Sequence, residues 1–287
     1  MKPLLSVQDL TLYFPDNEQI IYALQGINFT LYQGETLGIV GESGCGKSAL
    51  AKTLAGLIQE ERGVVEKGTV LFKQKNLLLQ SPAEWRKTRA KDIGIIFQDP
   101  MGSLNPTLTI GFQLKESLLQ YNPHLSEKEC YLEMQEILQE VGIPSSRSIL
   151  QEFPSSLSGG LKQRILIALS LCRHPELLIG DEITTALDVT IQAQILELLE
   201  KIQKNKTMLL ITHDLGVAAR LCDRIIIMYA GKIVEEASVF DLFSSPSHPY
   251  TQGLLQALPS WGGKKKSALI PIMGTPPLLR VDRKSVV

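Results

Sequence analysis

The 287-residue sequence predicts an α/β fold: a mostly parallel sheet with antiparallel strands at its N-terminal end, an inserted helical subdomain and a short C-terminal tail. Three observations carry that expectation. Short apolar runs alternate with segments of helical spacing; between Asp99 and Pro175 the strand-like runs disappear; and from about Ser244 prolines and glycines are too dense for long regular elements.

Alternating apolar residues in Leu5 to Phe14 and in Ala23 to Leu31 predict two antiparallel strands, and Tyr32, Gln33 and Gly34 turn the chain into a third, buried strand at Glu35 to Val40. After Gly46, the residues Leu50, Leu54, Leu57 and Ile58 share one helical face. Strand-like runs recur at Ile93 to Phe97, Leu177 to Gly180, Met208 to Thr212 and Arg224 to Tyr229, the later ones alternating with helices such as Thr190 to Lys204. Inside the insertion, Ser126 and Glu129 form a capping box ahead of Cys130, Met134, Ile137, Leu138 and Val141, with a stop at Gly142. The tail, SSPSHPYTQGLLQALPSWGGKKK, predicts one short helix near Tyr250 to Ala257, and Lys264 to Lys266 read as a solvated linker. The expected boundaries are a core over 1–243, its helical insertion at about 100–173, and an extension over 244–287.

Composition narrows the function. Forty-four per cent apolar residues supply a core, and a formal net charge of −1 provides no field to gather nucleic acid, which is therefore not an expected partner. Cys45, Cys130, Cys172 and Cys222 lack the spacing of a disulfide framework or a zinc site and point to a reducing compartment. The start, MKPLLSVQDLTLYF, has no signal-peptide core, and no run reaches the ~18 apolar residues that span a bilayer. Work at a membrane would require another chain to hold this one there.

The chemistry begins at GESGCGKS, Gly41 to Ser48, which fits G-x-x-x-x-G-K-[ST] between a buried strand and a helix. Glycines let the backbone curl so that successive amides meet phosphate oxygens at a helix N-terminus. Gly41, Ser43, Gly44, Cys45, Gly46, Lys47, Ser48 and Ala49 form the candidate cradle, Lys47 reaching the β- and γ-phosphates and Ser48 a Mg²⁺ ion. The strand LLIGDE ends in two carboxylates: Asp181 completes the Mg²⁺ shell and Glu182 polarises the attacking water. His213, after the strand LLIT, is placed to bond the γ-phosphate, and Gln98, after IGIIF, to reach Mg²⁺ or that water. Cys45 reads as a tolerated small residue.

Together with LSGGLKQR at Leu157 to Arg164, these motifs resemble the ATP-binding-cassette (ABC) ATPase family over nearly the whole chain: phosphate loop at Gly41, glutamine loop at Gln98, signature at Ser158, acidic pair at Asp181 and Glu182, then Ala186, Leu187 and Asp188, and His213. VGESGCGKS, FQDPMGSLNPTLTIG, DEITTALDVTIQAQILELL and SHPYTQGLLQALP resemble its oligopeptide, dipeptide and nickel importer subunits.

The resemblance implies ATP and Mg²⁺ as cofactors and adds Ser158, Gly159, Gly160 and Asp188 to the ATP-binding set, the signature covering the γ-phosphate held by a facing subunit. In one chain alone Ser158, Gly159 and Gly160 are expected to lie exposed. Phe14 aligns with the aromatic that stacks on adenine, with Tyr13 and Tyr22 as alternatives. Implied partners are a second ABC ATPase subunit, two integral membrane permeases and an extracytoplasmic solute-binding protein, with the chain peripheral on the cytoplasmic face of the membrane. Two departures stand out: Ile183 where the family has proline, and Leu161 in the signature. Both are expected to tune packing. The cysteine cluster that many subgroup members carry after a segment like GTPPLL is not expected, nor is an iron–sulfur centre. A nickel or other metal importer, a regulatory subunit whose partner hydrolyses, and a DNA-repair or translation ATPase are the alternative readings; the last lacks the coiled-coil insertions or double cassette it would show.

Overall fold

The computed structural model describes residues 2–16, 19–144, 147–185, 187–257 and 280–282. Ala186, Lys264 to Lys266 and the GTPPLL segment lie outside them. The chain divides into two compact units, one of 1–32, 36–78 and 211–287, the other of 33–35 and 79–210.

The first unit opens with β1 (Pro3–Asp16), β2 (Gln19–Tyr32), β3 (Thr36–Val40), α1 (Lys47–Leu54), β4 (Val64–Phe72) and β5 (Lys75–Asn76). The second carries α2 (Pro82–Lys91), β6 (Ile93–Ile96), α3 (Pro100–Ser103), α4 (Ile110–Tyr121), α5 (Glu127–Glu140), α6 (Arg147–Gln151), α7 (Gly159–Leu171), β7 (Leu177–Asp181), α8 (Val189–Gln203) and β8 (Thr207–Thr212), whose last two residues fall in the first unit. The chain returns to the first unit with α9 (Leu215–Leu221), β9 (Arg224–Tyr229), β10 (Lys232–Ser238), α10 (Val239–Ser244), α11 (Pro249–Gln256) and β11 (Arg280–Asp282).

In the first unit the expected antiparallel pair is present, with Leu5 opposite Leu31 and Val7 opposite Phe29. It sits within a five-stranded antiparallel sheet of order β11-β2-β1-β4-β5. Leu5, Leu10, Leu12, Leu24, Ile27 and Leu31 are fully buried, the apolar half of the alternation read in the sequence. The register steps from Leu12 opposite Leu24 to Tyr13 opposite Tyr22, so Ala23 is the extra residue of a β-bulge. A separate set in this unit runs β10-β9-β3, with β3 parallel to β9 (Ile39 opposite Ile226) and buried at every position.

In the second unit the strand order is β8-β7-β6, with β6 parallel to β7 (Ile95 opposite Ile179). Both β7 and β8 are buried throughout, which is why their sequences are continuous apolar runs. The insertion is helical as expected: α5 starts on the Ser126–Glu129 capping box. Its last helix, α7, is tied to β6 by Ser170, whose hydroxyl donates to the Ile95 carbonyl at 2.8 Å. The sequence does not predict β4, α2 or β10, nor the short β5, α9, α10 and β11. β4 and β10 alternate too weakly in burial to stand out, while α2 carries a local signal, Ser81 and Glu84 closing a capping box around Pro82.

Candidate functional site

In the first unit the phosphate loop is packed so closely that two glycines are compulsory. A Cβ on Gly41 would meet the Met228 carbonyl oxygen at 2.3 Å, and one on Gly46, at φ 106°, the Ala23 carbonyl oxygen at 2.3 Å. Lys47 is only 4% exposed, and its Nζ donates to the carbonyls of Gly41 (2.7 Å) and Glu42 (2.9 Å). α1 begins without a side-chain cap and with no acid in its first turn. Its first backbone bond runs from the Leu50 amide to the Gly46 carbonyl. The first turn of α1 thus opens at this helix end, where the dipole adds partial positive charge. That end suits a polyphosphate, beside the exposed Ser43 and Gly44.

Cys45 closes the loop: its amide donates to the Glu42 carbonyl (3.3 Å) and its carbonyl accepts from the Gly231 amide (3.0 Å). Burial pushes its thiol above the ordinary value, against the pull of Lys47, so it stays protonated and unreactive at neutral pH. His213 is exposed immediately beyond β8, and Asp214 caps α9 by accepting from the Gly216 and Val217 amides. The three candidate aromatics separate. The Tyr13 and Tyr22 rings pair edge to face at 5.9 Å, and the Tyr22 hydroxyl donates to Glu66. Phe14 lies opposite Ile21, two residues from the bulged Ala23 that abuts Gly46; among the described residues it has no ring partner.

In the second unit, buried Asp181 ends β7 and Glu182 follows at φ 49°, a conformation that strains a non-glycine residue. One oxygen of the Glu182 carboxylate accepts from Gln98 Nε2 (3.0 Å) and from the Thr185 hydroxyl (3.1 Å). Because a carboxylate only accepts, the Gln98 amide must present its NH₂ to Glu182, leaving its carbonyl oxygen for another partner. Thr185 was not picked out in the sequence, although a hydroxyl three residues beyond an acid is a recurrent local donor. Ile183 is buried, and a Cβ on Gly180 would fall 2.2 Å from its Cδ1, so this departure is indeed absorbed in packing.

Ser158 and Gly159 are exposed as expected, but Gly160 is buried, a correction to the expected exposure of all three. The cause is Ile191, whose side chain would stand 2.9 Å from a Cβ at Gly160. Ser158 caps α7, accepting from the Leu161 amide at 3.4 Å, and exposed Asp188 caps α8, accepting from the Ile191 amide at 2.9 Å. Ile191 thus ties Asp188 to the signature turn. Leu161 is half-buried.

The family profile described as "ABC transporter" matches residues 24–185, and that described as "Oligopeptide/dipeptide transporter, C-terminal region" matches residues 234–284. The sequence is 48% identical to the dipeptide transport ATP-binding protein DppD of Bacillus subtilis (strain 168) over 279 residues, 96% of this chain and 83% of that protein. It is 46% identical to the oligopeptide transport ATP-binding protein OppD of the same organism, covering 96% of this chain and 77% of that protein. Among solved structures it is similar to the dimeric post-hydrolysis state of the ATP-binding cassette MJ0796 bound to ADP and Pi, with a TM-score of 0.73, 29% identity, and coverage of 82% of this chain and 98% of that one.

Proposed function

The chain belongs to the ABC transporter ATPase family, and from that premise we propose that it binds and hydrolyses ATP to drive an importer of oligopeptides or dipeptides. The observation that carries the catalytic part is Glu182: a strained backbone aims its carboxylate, and Gln98 and Thr185 hold it by hydrogen bonds. Strain of this kind persists where chemistry needs it.

In this reading the loop residues Gly41, Ser43, Gly44, Cys45, Gly46, Lys47, Ser48 and Ala49 bind the phosphates, and Phe14 stacks on adenine. Glu182 orients and deprotonates water for in-line attack on the γ-phosphorus; the bond to the leaving β–γ bridging oxygen breaks as the new P–O bond forms. Lys47 and His213 stabilise the charge that spreads over the γ-phosphoryl oxygens. Mg²⁺ supplies charge neutralisation on the β- and γ-phosphates when bound. Ser48, Asp181 and Gln98 would hold it, a small oxygen set that suits an ion keeping waters and substrate phosphates as its other ligands.

The signature residues Ser158, Gly159 and Gly160, with Asp188, serve the ATP of a second ABC ATPase subunit, a role supported by the dimeric state of the MJ0796 cassette. Two integral membrane permeases and an extracytoplasmic solute-binding protein complete the importer. Among the described residues no helix is long and apolar enough to cross a membrane, and the chain works peripherally on the cytoplasmic face. Residues 1–243 form the ATPase, with its helical insertion at about 100–173, and residues 244–287 the importer-specific extension. The peptide cargo is supported by the names of the DppD and OppD relatives and the C-terminal match.

Glu182→Gln in the assembled transporter tests the catalytic assignment. ATP binding is expected to persist while turnover falls by about 10² to 10⁴; a wild-type rate overturns it. Uptake of a labelled dipeptide and of nickel, measured in cells carrying the wild-type transporter, tests the cargo, and uptake of nickel alone overturns the peptide assignment.

A further inference from the structure

The C-terminal extension reaches the phosphate loop within the first unit. Tyr250, the second residue of α11, is 9% exposed, and its ring lies 4.5 Å from that of Tyr229 at the end of β9. Its hydroxyl oxygen accepts from the Glu42 amide at 3.4 Å. That amide belongs to the same peptide group as the Gly41 carbonyl, which accepts from Lys47 Nζ at 2.7 Å. One peptide plane is therefore held on its N–H side by Tyr250 and on its C=O side by the lysine of the loop. Hydrogen bonds in series through one amide polarise each other, and fixing one end fixes the orientation of the other.

The surroundings make Tyr250 an anchored group. Ser247 and His248 donate their amides to the two oxygens of Glu235 on β10, at 2.7 and 3.0 Å. His248 Nδ1 accepts from the Tyr250 amide at 3.1 Å, capping α11. The β9–β10 turn beneath the ring is fastened to the loop through the Gly231 amide and the Cys45 carbonyl. Burial raises the Tyr250 phenol to about 12, so it is neutral at physiological pH and places no anion beside the loop.

We propose that Tyr250 is a positioning residue for nucleotide binding: through the Gly41–Glu42 peptide it sets the phosphate loop and Lys47, making ATP affinity dependent on the docked C-terminal extension. The inference rests on the ATPase reading above. It needs neither hydrolysis nor any particular cargo to be tested.

Tyr250→Phe keeps the ring and removes only the hydroxyl, whose oxygen accepts from the Glu42 amide. In the full-length chain, titration with a fluorescent ATP analogue is expected to show an affinity about fivefold weaker, the effect of one hydrogen bond, with the thermal midpoint unchanged. In the assembled transporter KM for ATP rises by a similar factor with kcat unchanged, the pattern of lost uniform binding. A purely structural role predicts the reverse: Tyr250→Phe wild-type in affinity, and Tyr250→Leu losing thermal stability and activity together. That result, or equal affinities for wild type and Tyr250→Phe, overturns the proposal. If the wild type binds the analogue but does not hydrolyse ATP, the catalytic reading fails while the affinity comparison still decides the role of Tyr250. A wild-type chain that binds no nucleotide sinks both.

Discussion

Two helices of this protein start beside glycines, α1 after Gly46 and α7 at Gly159 and Gly160, and their first turns are built in opposite ways. α1 starts without a cap or an acid, inside a loop buried against Met228 and Ala23. α7 starts with Ser158 already accepting from the Leu161 amide, and Gly159 lies open with nothing within 4 Å of where its side chain would begin. The first turn has no side-chain cap and suits an anion, whereas the second is capped by Ser158 and faces outward. Helix N-termini alone do not distinguish these cases; the packing around their glycines does.

Substitution at those glycines puts the contrast under the greatest strain. Gly46→Ala forces a side chain into positive φ and into the Ala23 carbonyl. It is expected to cost about 2–5 kcal/mol by chemical denaturation and to remove ATP binding. A wild-type midpoint would show that the loop can yield. Gly159→Ala, with open space around it, should change the stability of the isolated chain by no more than about 0.5 kcal/mol. Turnover in the assembled transporter should nevertheless fall if, as proposed, that surface serves the ATP of a second subunit. Equal turnover would mean that α7 faces nothing that matters.

A smaller, pH-dependent effect is expected at the tail. Burial opposes charge on Glu235, but the Ser247 and His248 amides that donate to it help hold the carboxyl below its ordinary value of 4.5. Folding therefore favours the carboxylate; its contribution is complete above the ordinary value and is lost as pH falls through the lowered one. The near-ultraviolet circular dichroism of the Tyr229–Tyr250 pair should decline over that acidic range. Glu235→Gln should abolish that step, and a variant that retained it would exclude Glu235 as its source.

Much of this was legible because phosphate chemistry confines residues to short spacings. The loop, the acids at the end of β7 and the capped α5 all lie within a few residues of their own signals, and local rules suffice to read them. Gly160, Thr185 and Tyr250 were opaque for a different reason. Gly160 is buried by Ile191, 31 residues further on, and Tyr250 meets an amide 208 residues earlier in the chain; no periodicity or cap motif encodes such encounters. Spacing alone does not separate the three candidate aromatics either, whereas the register, shifted at Ala23, puts Tyr13 opposite Tyr22 and Phe14 opposite Ile21.

Ile183 looked like an eccentric replacement for proline, but its Cδ1 occupies the space that any side chain at Gly180 would need. The two positions are thus sterically coupled: a side chain at 180 needs the Ile183 side chain to move or shrink. Gly180→Ala and Ile183→Ala are therefore expected to be non-additive, the double variant being more stable than the sum of the two single losses.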